Sequence, residues 1–253
     1  MSFKKTVMAA ALSACLALTG CNSTSGSSSS SSGGNADPRL TNKEFNVEGS
    51  SYGVACLTGA AVVGVGCLLL KGGKKQACIA AAALGCGAAM GANALMDKLR
   101  SNYHSREQQL DGLIATMEES RQKAAMMAST AQAVYSEDQE KFKKLQAQIK
   151  KSQADRAEVE KTVARYDANI KILKENLDYH NKTLASYKEV RDEIAAEGQL
   201  TAQEKQRIQE CDKQIKRLQR SIEEIQLAYN SYSEDSNVLH LTLEKGTEVG
   251  KAA

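Results

Sequence analysis

Residues 142–194 read FKKLQAQIKKSQADRAEVEKTVARYDANIKILKENLDYHNKTLASYKEVRDEI, and their spacing decides the fold. Steps of three and four from Phe142 visit sixteen positions. Twelve are apolar: Phe142, Leu145, Ile149, Val159, Val163, Tyr166, Ile170, Leu173, Leu177, Leu184, Tyr187 and Ile194. Ser152, Arg156, His180 and Arg191 hold the other four. A seven-residue repeat held this long keeps one seam facing a partner helix, which is the signature of a coiled coil. The repeat ends at Glu197-Gly198, and Thr201-Ala-Gln-Glu204 then has the form of a capping box that opens a new helix. Ile208, Cys211, Ile215, Leu218, Ile222, Ile225, Tyr229 and Tyr232 fill every seam position of that helix. Two helices joined by so short a turn are expected to pack antiparallel, which sets Cys211 opposite Tyr187 and Tyr232 near Tyr166. A parallel pairing between two copies would instead set Cys211 against its own counterpart.

Upstream, Tyr103, Leu110, Leu113, Met117, Ala124, Met127, Ala131 and Val134 form a weaker stripe. A four-residue slip between Ala131 and Phe142 reads as a stutter in a continuous helix. A break at Ser136, which could cap with Gln139, is the alternative. An unbroken helix over 97–196 would be about 150 Å long. The coiled coil is therefore assigned to 97–232, with breaks near 136 and 198. In the remaining tail, 233–253, Val238-Leu-His-Leu-Thr-Leu243 alternates like a short strand or a fold-back.

Composition narrows the class. The 253 residues include no Trp, one Pro and 4% aromatic side chains, too few anchors for a large sandwich, barrel or doubly wound domain. The net charge of +3 falls to +1 when Lys4 and Lys5 leave with the first twenty residues. That balance does not suit a nucleic-acid binder, which must neutralise phosphates.

At the N-terminus, Lys4 and Lys5 precede an apolar run from Val7 to Leu18 of signal-peptide length. The run ends in Leu18-Thr19-Gly20-Cys21, which resembles the lipobox of bacterial lipoproteins. The resemblance implies a signal peptide over 1–20, cleavage before Cys21 and lipid on its thiol and new terminus. That covalent lipid would be the only cofactor. Asn22 stands where an aspartate resembles an inner-membrane retention signal, so the outer membrane is expected, with the inner membrane as the alternative. Three acyl chains exceed what stable anchoring requires. Residues 22–35 hold eight Ser, three Gly and no apolar side chain, and read as a flexible tether. The rest of the 21–52 region is read as linker or as a segment docked on the chain beyond it.

The segment 53–96 is the most unusual. Gly53 to Leu70 carries no charge, Lys71-Gly72-Gly73-Lys74-Lys75 interrupts, and Gln76 to Met96 is again uncharged. Two helices joined by a basic turn are expected, each near the length that crosses a bilayer. Small residues recur every fourth position, with Gly59, Gly85, Gly87 and Gly91 as candidate close helix contacts. The pattern resembles the glycine-zipper segments of bacterial envelope proteins. Burial inside a soluble oligomer is the alternative to membrane insertion. Cys67 and Cys78 flank the turn, and Cys56 and Cys86 lie outside them, so nested disulfides 67–78 and 56–86 are one arrangement an exported protein could form. Four free thiols are the other. The Cys spacings match no ordinary zinc site.

No catalytic constellation emerges. His104, His180 and His240 are isolated, and His180 sits on the seam, where a polar core residue that sets register is the plainer reading than a ligand. The sequence thus describes an all-α chain: a hydrophobic Gly/Ala-rich helical hairpin followed by a long antiparallel coiled coil. Its function is expected to be that of a non-enzymatic envelope scaffold or assembly factor. Its expected partners are membrane lipid and either its own copies or another envelope protein, not nucleic acid and not a metal. The alternatives are a membrane-inserting oligomer or pore component, or an accessory lipoprotein of a secretion apparatus.

Overall fold

The computed structural model describes residues 35–42, 44, 45, 47, 91–151 and 154–249. Cys21, Cys56, Cys67, Cys78, Cys86, Gly59, Gly85 and Gly87 lie outside them, as do residues 1–20, expected to be a signal peptide, and most of the hairpin expected over 53–96. All regular structure in the described residues is helical: α1 Ala92–Asn102, α2 Arg106–Lys150, α3 Arg156–Ala196 and α4 Ala202–Val249. None of these helices is long and apolar enough to cross a membrane.

The three long helices have 45, 41 and 48 residues, about 67, 62 and 72 Å at 1.5 Å per residue. They run up, down and up. At one end Arg106 of α2 grips Glu204 of α4 at 2.8 Å, and further along Tyr135 meets Tyr232 with ring centroids 5.0 Å apart, so α2 and α4 are parallel. α3 is antiparallel to both. Tyr187 donates to the carbonyl of Thr116 in α2 at 3.1 Å, and Arg191 pairs with Asp212 in α4 at 3.0 Å. The expected antiparallel pair is therefore present as α3 and α4, and Tyr166 does meet Tyr232, centroid to centroid 5.0 Å. Cys211 is a fully buried free thiol in that core, pushed up to about 12 by its burial.

The helix ends differ from several expectations. The chain is not one helix over 97–196. It turns at Tyr103–Ser105, where Ser105 caps α2 by accepting from the Gln108 amide, and breaks again between Lys150 and Arg156, where Asp155 caps α3 by accepting from Ala157. Ser136 does not break the helix, because Val134, Asp138 and Phe142 keep a buried face running past it. The break falls instead beside Ser152 and Arg156, the two consecutive polar positions of the seam. At the other end the capping box forms as expected: Thr201 Oγ1 accepts from the Glu204 amide, and the Glu204 carboxylate accepts from the Thr201 amide. Gly198 precedes it at φ +116°, a conformation that favours glycine. Residues 238–243 are neither strand nor fold-back. They continue α4, with Leu239 and Leu243 four apart on the inner side while Val238 and Leu241 stay exposed. The helix that Gly91 is expected to contact lies outside the described residues. Gly91 itself is the N-cap of α1 at φ +116°, and among the described residues nothing lies within 4 Å of where a β-carbon would be. α1 thereby crosses the boundary expected at 96/97.

α4 touches both long neighbours extensively, while α2 and α3 touch each other much less. The groove between α2 and α3 is filled by two other pieces of chain. One is α1, which buries Ala92, Leu95, Met96 and Leu99 and packs on both helices. The other is a strap, residues 35–47. Tyr103 folds back from α1 over Gly112 of α2, and its ring occupies the space any β-carbon at 112 would need. Gly112→Ala should lower stability by about 1–2 kcal/mol, because overpacking outweighs the ~1 kcal/mol helix preference of alanine. A urea midpoint that stays level or rises would show that the Tyr103 ring swings aside freely.

Candidate functional site

The strap is the part of the described structure that joins the N-terminal region to the bundle. Pro38 and Asp37 set its first turn: the Leu40 amide donates to the Asp37 carbonyl at 3.0 Å, and the Arg39 amide to the Asp37 side chain at 2.9 Å. Leu40, Phe45 and Val47 are buried in the groove. Two asparagines of α3, seven residues apart, receive the strap backbone. Asn169 accepts from the Asp37 amide at 2.9 Å, and Asn176 accepts from the Val47 amide at 3.3 Å. Heptad spacing puts both on one line of the helix, so they act as two rungs beside the strap.

A polar chain joins the strap to all three long helices at this level. Glu137 of α2 receives both terminal nitrogens of Arg39 at 2.7 and 2.8 Å, and Arg39 in turn donates to Asp37. Asp37 also receives Arg165 of α3 at 3.0 Å, and the same Arg165 nitrogen lies 2.8 Å from Asp138 of α2. Asp138 accepts from the Tyr232 hydroxyl of α4 at 3.0 Å, and its backbone carbonyl accepts from Tyr166 at 3.1 Å. Tyr135, Tyr166 and Tyr232 close round it edge to face. Side-chain exposure is only 7% for Asp37 and 2% for Asp138, so both carboxylates depend on their cations. Hydrogen bonds from Arg39 hold the Asp37 carboxyl below its usual range, against the opposing effect of burial. Arg165→Met should destabilise the protein by about 2–3 kcal/mol, below the full value for a buried pair because the guanidinium is 31% exposed. Hydrogen exchange should quicken first at residues 37–47. Protection of those amides at the wild-type level would show that the asparagine rungs hold the strap alone.

Further along α3, His180 is fully buried and, among the described residues, neither ring nitrogen has a hydrogen-bond partner. Its ring meets Tyr179 edge to face. Burial, with a smaller push from the Lys123 ammonium, holds the imidazole down to about 3 from an ordinary 6.5. The folded chain thus refuses a proton that the unfolded chain accepts below about pH 6.5, so this contribution is intact at neutral pH and lost as pH falls toward 3. Between about pH 6.5 and 5 the loss should approach ~2 kcal/mol. His180→Leu should remove most of that slope and stabilise the bundle at acid pH. Urea midpoints that keep the same pH slope in the variant would assign it to other groups.

Asp167, Ser236 and His240 also meet. Ser236 donates to Asp167 at 2.7 Å, and His240 lies 3.1 Å from the other Asp167 oxygen. The order is wrong for nucleophilic catalysis: the carboxylate stands in the middle, and the serine hydroxyl is spent on it rather than aimed at the imidazole. The cluster joins α3 to α4. Among the described residues no three His, Cys, Asp or Glu side chains form a group that could hold a metal.

Sequence reasoning placed Gly91, His180 and Cys211 among its notable residues, and the structure brings none of them to the strap. The residues that hold it, Arg165, Asn169, Asn176 and Asp138, are polar positions inside helices, where hydropathy carries no signal. No protein-family model matches this chain, and no curated protein or solved structure matches it.

Proposed function

We propose that this chain is an envelope lipoprotein. In this reading lipid on Cys21 anchors it to the outer membrane facing the periplasm, and residues 53–90 enter the same bilayer. The helical bundle is a non-enzymatic scaffold or assembly factor, which offers its helix surfaces to a second copy or to another envelope protein. The observation that carries the reading is the strap. Asp37 lies two residues beyond the Ser-rich tether, and through Arg165 and Asp138 it is tied to the tyrosine core of all three long helices. A tether that ended in loose coil would only localise the bundle. One whose end is held through the buried Asp37 and Asp138 carboxylates also passes mechanical load from the anchor into the core. The polar clusters at this level point at one another, which suits a scaffold better than a reaction centre.

Cys21→Ser should leave an unprocessed precursor that takes no label from palmitate and no longer fractionates with outer membranes. A variant that is still cleaved, labelled and membrane-bound would overturn the lipoprotein reading.

A further inference from the structure

The strap and α1 lie in the same groove, with Val47 at the end of one, Gly91 at the start of the other, and 43 residues of sequence between. Val47 is fixed by Asn176, which stands twenty residues from Arg156 and twenty from Ala196, the two ends of α3. Val47 therefore sits at mid-height, about 30 Å along the axis from either end of the helix. The uncharged run begins at Gly53, six residues on, and six residues reach at most about 20 Å. On the return, the second uncharged run, Gln76 to Met96, extends through Gly91 into the start of α1.

We infer that the bundle lies along the membrane rather than standing on it, with the face formed by α2, the strap and α3 turned to the lipid surface. The inference rests on the proposal that residues 53–90 enter the bilayer. A bundle standing on either end would hold Val47 about 30 Å from the headgroups, farther than the chain to Gly53 can span. Lying on the strap face, the bundle brings Val47 and Gly91 to the bilayer together, and the tether at Asn35 leaves from the same side. The far face, marked by Leu227 of α4, which is 63% exposed, then points to the periplasm and is the one left open to a protein partner.

The chain has no tryptophan, so single tryptophans report position without background. Glu44→Trp places one on the exposed side of the strap. Lys141→Trp places one on α2, where the lysine now reaches Asp138 beside the strap. Leu227→Trp marks the opposite face. The full lipidated protein is reconstituted into phosphatidylethanolamine–phosphatidylglycerol vesicles doped with a phospholipid carrying a nitroxide on its headgroup. Quenching at positions 44 and 141 should exceed that at 227 at least twofold. Equal quenching at all three, or strongest quenching at 227, overturns the lying orientation while leaving membrane anchoring intact. Failure of the protein to float with vesicles overturns the membrane reading itself, and this inference with it.

Discussion

The architecture depends on how wide a stripe α4 must bury. A two-stranded coiled coil needs only the narrow seam of alternating threes and fours. α4 buries more: beside Cys211, Leu218, Ile225 and Tyr232 runs a second line, Gln214, Ser221 and Ala228, and both are out of solvent. One partner cannot cover a stripe that broad, so α3 takes one side antiparallel and α2 the other in parallel. With α2 and α3 both turned toward α4, a shallow trough is left between them. The strap and α1 fill it, and the strap-binding residues of α3 line its floor.

That second line explains what the sequence made legible and what it hid. The α3–α4 hairpin was readable because its seam is built from large apolar side chains, its turn from Gly198 and its restart from the Thr201–Glu204 box. The tyrosine contact between 166 and 232 followed from the turn length. The need for a third helix was not readable, because Gln214, Ser221 and Ala228 are polar or small and add nothing to a hydropathy pattern. The break between Lys150 and Arg156 contains no Gly or Pro and passed as helix. Its marks were weaker: two polar seam positions in succession, and Asp155 three residues before Glu158, a capping signature. Alternation at 238–243 suggested a strand only because exposed Val238 and Leu241 interleave with inward Leu239 and Leu243. Docking of the strap rests on asparagines and an arginine within α3, which sequence pattern alone reads as surface.

The interior is unusually polar for a helical bundle. His180, Asn169, Asn176, Thr183 and Thr116 are all fully buried, and Tyr187 shares a 2.6 Å hydrogen bond with Ser120. Such groups weaken a core relative to leucine but penalise every alternative register, since a slip of one heptad would set them against apolar neighbours. Three helices with similar heptads have many ways to align. The alanines at 124, 128 and 131 of α2 and the bulky side chains at 180 and 187 of α3 add a steric key to the polar one.

The separation in sequence between the strap and its groove governs the order of assembly. Asp37 and Asn169 are 132 residues apart, whereas each long helix folds back on the next across a turn of a few residues. Local hairpins form before distant contacts, because loop closure must come first. A chain that emerges from its N-terminus therefore releases the strap long before there is a groove to receive it. Until α3 has been delivered, Asp37, Leu40, Phe45 and Val47 have no groove to enter. Closure of the strap is thereby tied to the arrival of α3, far along the chain from Asp37.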